Sequence, residues 1–170
     1  MGPLKFRKAL TTDESDVVSL VNSVYRSTGA RQWTSEVGMV VGPRLTEEGF
    51  QTLLTLPNTY VLLGCLDDLV LACVQLEKKG ASCYLGMLSV AATYQQYGFG
   101  KQLLVHCEEF AKNKLNCSQI HMHVISVRTE LLDWYLRKGY QSTEEFIPFY
   151  STNNKETGEK LFFQVLRKSL

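Results

Sequence analysis

The chain has 170 residues, 45% of them hydrophobic and 21% charged, with 18 basic against 17 acidic side chains and a net charge of +1. That length suits one compact domain over residues 1–170, large enough to bury roughly 70% of the surface its unfolded chain exposes. So even a charge balance gives no general reason to bind nucleic acid or an anionic membrane, and Met1-Gly2-Pro3-Leu4-Lys5-Phe6-Arg7-Lys8 lacks the apolar core of a secretory signal, so a cytoplasmic location is expected.

Residues 4–9 (LKFRKA) alternate apolar and basic side chains and predict a first strand. Thr12-Asp13 offers a helix cap, with Glu14 and Asp16 in the first turn, where negative charge suits the peptide dipoles. Val17, Leu20, Val21, Val24 and Tyr25 then line one face of a helix that ends near Ser27. The stretch 29–44 (GARQWTSEVGMVVGPR) has three glycines, a proline and no period, and reads as a long irregular segment. Loops of that length usually bind something or are disordered, and Trp33, Met39 and the valines favour binding. Thr46 caps a short second helix through Leu56, which Pro57-Asn58 stops.

Residues 59–66 and 69–78 are strand-like runs joined by Asp67-Asp68, an antiparallel hairpin. Lys78, Lys79 and Gly80 turn the chain into a third strand ending at Val90, whose stretch Tyr84–Val90 is apolar at nearly every residue, as a strand covered on both faces should be. After a glycine-containing loop, Leu103, Leu104, Cys107, Phe110 and Ala111 recur at helical steps, with Lys101, Gln102, Glu108, Glu109 and Lys112 between them. Residues 118–126 (SQIHMHVIS) predict a strand, 130–138 (ELLDWYLRK) a helix closed by Gly139, Tyr140 onward an extended piece, 151–158 a polar turn, and 160–166 (KLFFQVL) the closing strand. No internal repeat or linker interrupts this order.

The loop itself is Gln95-x-x-Gly98-x-Gly100, between a strand and a helix. Glycines there let the backbone approach a ligand closely. The first four N–H groups of a helix lack intrahelical partners, and the aligned dipoles leave about half a positive charge at that end. A diphosphate fits such a cradle without a basic side chain.

With that loop after a three-strand meander, the chain resembles the GNAT superfamily of acyl-CoA-dependent N-acyltransferases over residues 4–168. The match rests on the family's R/Q-x-x-G-x-G/A loop, preceded by Leu88-Ser89-Val90 and followed by Leu103-Leu104. A second segment, Trp134-Tyr135-Leu136-Arg137-Lys138-Gly139-Tyr140, is similar to the family's aromatic-Tyr-x-x-x-Gly-aromatic run. The resemblance implies an α/β fold: a mixed, mostly antiparallel sheet of about seven strands flanked by about four helices, with a V-shaped opening between the fourth and fifth strands. It implies acetyl-CoA as cosubstrate and no metal. Leu88, Ser89 and Val90 would meet the thioester and pantetheine through backbone groups. The loop residues Gln95, Gln96, Tyr97, Gly98, Phe99, Gly100 and Lys101 would hold the diphosphate, with Gln95 either touching ligand or bracing the loop.

Acyl transfer from CoA to an amine needs a neutral amine, a polarised carbonyl and an acid for the departing thiolate. A thioester is already activated, so no covalent nucleophile is required, which argues against the five cysteines in that role. Their odd count, without C-x-x-C spacing, reads as buried free thiols in a reducing cytosol. By the resemblance Tyr135, four residues before Gly139, is the acid. The base stays open. Many relatives carry a carboxylate on the strand before the loop, but 84–90 has none, leaving Glu77 acting through water, His121 or His123 on one strand face, or a water chain.

Substrate contacts are expected from residues 29–44 and 146–158, with Trp33, Glu36 and Arg128 as candidates: Glu36 for a substrate ammonium and Arg128, standing where relatives often have Asn, for an anionic group. The expected function is acetylation of a small primary amine by a monomer or homodimer. The alternatives are acetylation of a protein N-terminus or lysine, and a catalytically silent CoA-binding sensor.

Overall fold

A computed structural model of the chain describes residues 2–26, 36, 37, 39, 42–149 and 161–170. Among these, seven strands and four α-helices run in the expected order: β1 (Lys5–Lys8), α1 (Glu14–Arg26), α2 (Glu47–Thr55), β2 (Thr59–Leu66), β3 (Leu69–Lys79), β4 (Ser82–Val90), α3 (Phe99–Asn113), β5 (Gln119–Ile125), α4 (Thr129–Leu136), β6 (Gln141–Pro148) and β7 (Phe162–Ser169). Short 3-10 turns at Thr11–Asp13 and Ala92–Tyr97 lead into α1 and α3. No described helix is long and apolar enough to cross a membrane.

The sheet order is β1-β2-β3-β4-β5-β7-β6, with β4 and β5 parallel and the other neighbours antiparallel. The closing strand extends further than its apolar run predicts, because Lys168 and Ser169 find ladder partners in Ile120 and Gln119. Successive side chains of a strand point to opposite faces, and the core divides accordingly. On one face Val17, Val21 and Val24 of α1 and Phe50 of α2 cluster with Val61, Leu63 and Cys73. On the other, Leu103 and Leu104 of α3 and Leu131 and Leu132 of α4 cluster with Leu62, Val74 and Leu76. Each fully buried aliphatic side chain contributes about 1.5–3 kcal/mol.

One irregularity positions the site. Gln75 of β3 pairs with Gly86 but Cys73 pairs with Ser89, so β4 carries one residue more than its partner over that interval. The extra residue is Met87, in the left-handed region at φ 57°. Such a bulge resets the alternation of the strand. Cys83 and Leu85 face the α3 layer before it and Leu88 and Val90 after it, while Met87 joins the α1 layer. A bulge also bends its strand and increases the local twist. On its other edge β4 pairs with β5 only from Ser82 to Tyr84, against Gln119 to His121, and the two strands then part. This is the V-shaped opening.

At the start of α1, Asp13 rather than Thr12 performs the capping. Its carboxylate accepts from the Leu10 N–H at 2.8 Å and from both Arg7 guanidinium nitrogens at 2.7 Å, tying β1 to α1. The hydrogen bond from Arg7 holds the Asp13 carboxyl below its ordinary value of 3.8. A depressed carboxyl stabilises the fold fully above its unfolded pKa and ceases to do so as pH falls through the folded value. Asp13→Ala should therefore cost about 1–2 kcal/mol at pH 7. Urea unfolding should show the gap to the wild type shrinking once the pH falls well below 3.8.

Candidate active site

Where β4 and β5 part, a cavity of ≈ 410 Å³ passes between the two helical layers. Its strand walls are Tyr84–Leu88 of β4 and Met122–Ile125 of β5. Leu131 and Tyr135 of α4 close it from one layer, and Tyr25 and Arg26, from the end of α1, close it from the other with Glu36 and Arg44. Tyr135 is buried, with its ring edge-on to Trp134 and Tyr140 at centroid distances of 4.9 and 5.6 Å. Burial pushes its phenol far above the ordinary value, so Tyr135 keeps its proton at neutral pH. Tyr25 is likewise pushed up to about 12 by burial, and its hydroxyl donates to the Leu88 carbonyl at 3.3 Å.

The two histidines expected to share a face meet different fates. His121 lies at the last paired position of β5, where its Nδ1 and the Ser82 Oγ are 2.7 Å apart. His123 lies one step beyond, where the strands have separated, and it lines the cavity with its ring 5.1 Å from that of Tyr84. Burial, and secondarily the charge of Lys79, pulls His123 below the ordinary imidazole value, so it is neutral near pH 7. Glu77 does not line the cavity; its carboxylate meets the Lys79 ammonium at 3.3 Å. All five cysteines are buried free thiols, and burial pushes Cys73 and Cys83 up to about 12, which suits packing and not nucleophilic attack.

The glycine loop forms the entrance to α3. Gly98 takes a left-handed conformation at φ 76°, and no atom lies within 4 Å of where its Cβ would be. The space beside Gly98 is open, which leaves the backbone at the start of α3 approachable, as a loop that holds a diphosphate requires. Gln95 donates its amide to the Val90 carbonyl at 3.1 Å and so braces the loop against the end of β4. Gln96, Tyr97 and Lys101 are exposed, whereas Phe99 is buried, which leaves its backbone N–H as the group it can offer a ligand. Ser89 is fully buried, and its hydroxyl donates to the Met87 carbonyl inside the bulge at 3.1 Å. Its side chain is therefore part of the bulge.

Glu36 and Arg128 are both on the cavity wall, and they interact. Glu36 is buried and accepts from Arg26 at 2.9 Å, with Arg128 4.0 Å away on its other oxygen. Arg26 also donates to the carbonyls of Tyr25 and Gly42, so it ties Gly42 to the end of α1. Arg128 sits at the N-cap of α4 with its side chain 8% exposed, not on the surface. Arg44 lies 5.4 Å above the Tyr25 ring. Trp33 and residues 150–158 of the expected late hairpin lie outside the described residues. Tyr25, Arg26 and Tyr84 were not singled out from the sequence as cavity residues, because their helical or strand periodicity accounts for them without a site.

A family model described as Acetyltransferase (GNAT) family matches residues 27–140. Among solved structures, a GNAT-family acetyltransferase from Streptococcus pneumoniae superposes with a TM-score of 0.70 at 18% identity, covering 98% of this chain and 99% of that one. The ribosomal-protein-S18-alanine N-acetyltransferase of Escherichia coli gives 0.74 at 13% identity over 98% and 93%. The spermidine/spermine N-acetyltransferase SpeG of Vibrio cholerae gives 0.70 at 14% identity over 98% and 92%. At these identities the likeness is one of fold.

The two loop glycines should respond differently to a methyl group. Gly98→Ala forces an L residue into the left-handed region and should destabilise by about 1 kcal/mol. At Gly100 the added Cβ would meet Trp134 at 3.7 Å, an ordinary contact, so Gly100→Ala should be neutral or stabilising by up to about 1 kcal/mol through helix propensity. Urea midpoints of the two variants provide the comparison.

Proposed function

Because the chain belongs to the GNAT acetyltransferase family, we propose that it moves an acetyl group from acetyl-CoA to a small primary amine by direct attack in a ternary complex. The observation that carries this reading is the cavity at the β4–β5 parting, whose wall combines Tyr135, His123 and the free edge of β4. When bound, the thioester supplies the activated acyl carbon: the N–C bond forms as the C–S bond breaks, one proton leaves the amine and one reaches the sulfur.

Tyr135 holds the proton destined for sulfur, and its burial keeps that proton in place until the thiolate departs. His123, rather than Glu77, receives the amine proton, directly or through water, because it is neutral and on the wall whereas Glu77 is outside it. Backbone groups of Leu88 and Val90 hold the thioester and pantetheine, with the Leu88 carbonyl fixed by Tyr25 and that of Val90 by Gln95. The N–H groups at the start of α3, after Gly98, hold the diphosphate. A cavity of ≈ 410 Å³ has room for a small amine. The buried free thiols support a cytosolic location.

Incubation with acetyl-CoA and a panel of amines, following free thiol, tests the activity; absence of turnover with every amine class would sink the reading. Tyr135→Phe should lower kcat by about 10²–10⁴ with little change in KM for acetyl-CoA. The pH profile tests His123. A base works when neutral, so kcat/KM should fall as pH drops below a value lying under the ordinary 6.5. That acidic limb should stay in place when the amine is changed, unlike a limb due to protonation of the amine itself, and His123→Gln should remove it.

A further inference from the structure

Gly86 lies inside β4, paired with Gln75, and it is not among the glycines with positive φ, so the strand does not need glycine there for its backbone conformation. Space is what it supplies. A Cβ at this position would lie 2.8 Å from Cε1 of Tyr84 and 3.0 Å from its hydroxyl oxygen, closer than non-bonded atoms pack. Residues 84 and 86 share a face of the strand. The bare backbone at Gly86 therefore lets the Tyr84 ring lie along β4, with its hydroxyl over residue 86 and next to the bulge at Met87. Glycine inside a strand often marks a close approach of this kind.

Tyr84 lines the cavity beside His123, with ring centroids 5.1 Å apart and planes tilted by 58°. His121, one step away on the paired side, has the Ser82 hydroxyl as its partner. Among the described residues, neither the Tyr84 hydroxyl nor a His123 ring nitrogen has a hydrogen-bond partner. Burial raises the Tyr84 phenol above its ordinary value, so it keeps its proton at neutral pH and its oxygen still accepts a hydrogen bond.

A neutral primary amine attacking a thioester has two N–H groups to place. One proton leaves, and His123 receives it. The other stays on nitrogen in the amide product, so it needs an acceptor throughout the attack. A secondary amine carries a carbon where that hydrogen would be.

We infer that Tyr84 is a specificity-determining contact for the acceptor: its hydroxyl accepts a hydrogen bond from the N–H that nitrogen keeps, and so selects primary over secondary amines, while Gly86 gives the ring its place. This rests on the acetyltransferase reading above and deepens it.

The experiment compares butylamine, ethanolamine and phenethylamine, each against its N-methyl derivative. For the best pair the wild type should favour the primary amine by about tenfold or more in kcat/KM. Tyr84→Phe keeps the ring and should lower kcat/KM for the primary amine about tenfold, leave KM for acetyl-CoA unchanged and shrink the ratio within the pair. Gly86→Ala should reproduce that loss by displacing the ring, and should add little to it in the Tyr84→Phe background, where the hydroxyl is already gone. If Gly86→Ala fails to fold, Tyr84→Phe decides alone. A ratio unchanged in Tyr84→Phe, or a wild type that accepts both members of every pair equally, overturns the inference while leaving the acetyltransferase reading intact. If no amine turns over, that reading fails, and calorimetric titration of the same pairs into the protein with CoA decides this one separately. Tighter binding of a primary amine than of its N-methyl derivative, with the difference lost in Tyr84→Phe, supports it; no such difference overturns it.

Discussion

One extra residue in β4 creates the site. A regular β4 paired along its whole length with β5 would close the sheet and leave no space between the helical layers. Met87, held at φ 57°, adds a residue against β3 and bends the strand, and pairing with β5 stops at Tyr84. The shift of alternation has a second effect. It keeps Leu88 and Val90 on the α3 face, so the end of β4 still packs against Phe99 and Leu103 in one cluster while its edge is released from the ladder. The residues released are those that lead directly into the glycine loop.

The opening is stabilised by the polar contacts around it. Tyr25 reaches the Leu88 carbonyl from α1, and Gln95 reaches the Val90 carbonyl from the loop. Ser89, between them, turns its hydroxyl back to Met87. A buried carbonyl without a donor costs as much as a lost hydrogen bond, so side chains satisfy the groups that β5 no longer can. The buried charges follow the same logic. Glu36 lies in a setting where a lone carboxylate would be costly, and Arg26 and Arg128 offset that cost from two different elements.

Much of the fold was legible in the residues. The apolar steps of α1 and α3, the Asp67-Asp68 turn and Gly139 at the end of α4 each follow a local rule, and each element formed where its rule placed it. The glycine loop was legible for the same reason, since it depends on contiguous residues. Glu77 is one of several candidate bases in the sequence, acting through water because residues 84–90 carry no carboxylate, and its side chain pairs with Lys79 outside the cavity. The two histidines looked equivalent because alternation puts them on one face. Only the place at which β4 leaves β5 separates them, with His121 on the paired side and His123 on the open side.

The sequence by itself determined the order of helices and strands, the division of the core between two faces and the cradle at the start of α3, because all of these arise from interactions over a few residues. The tertiary structure alone decided which titratable groups face the cavity, that Glu36 is engaged by Arg26 and Arg128, and that Arg44 stands over Tyr25. Those depend on contacts between residues far apart in the chain. The opening that these groups line follows a bulge whose cue, a non-glycine residue in the left-handed region, has no sequence signature at Met87.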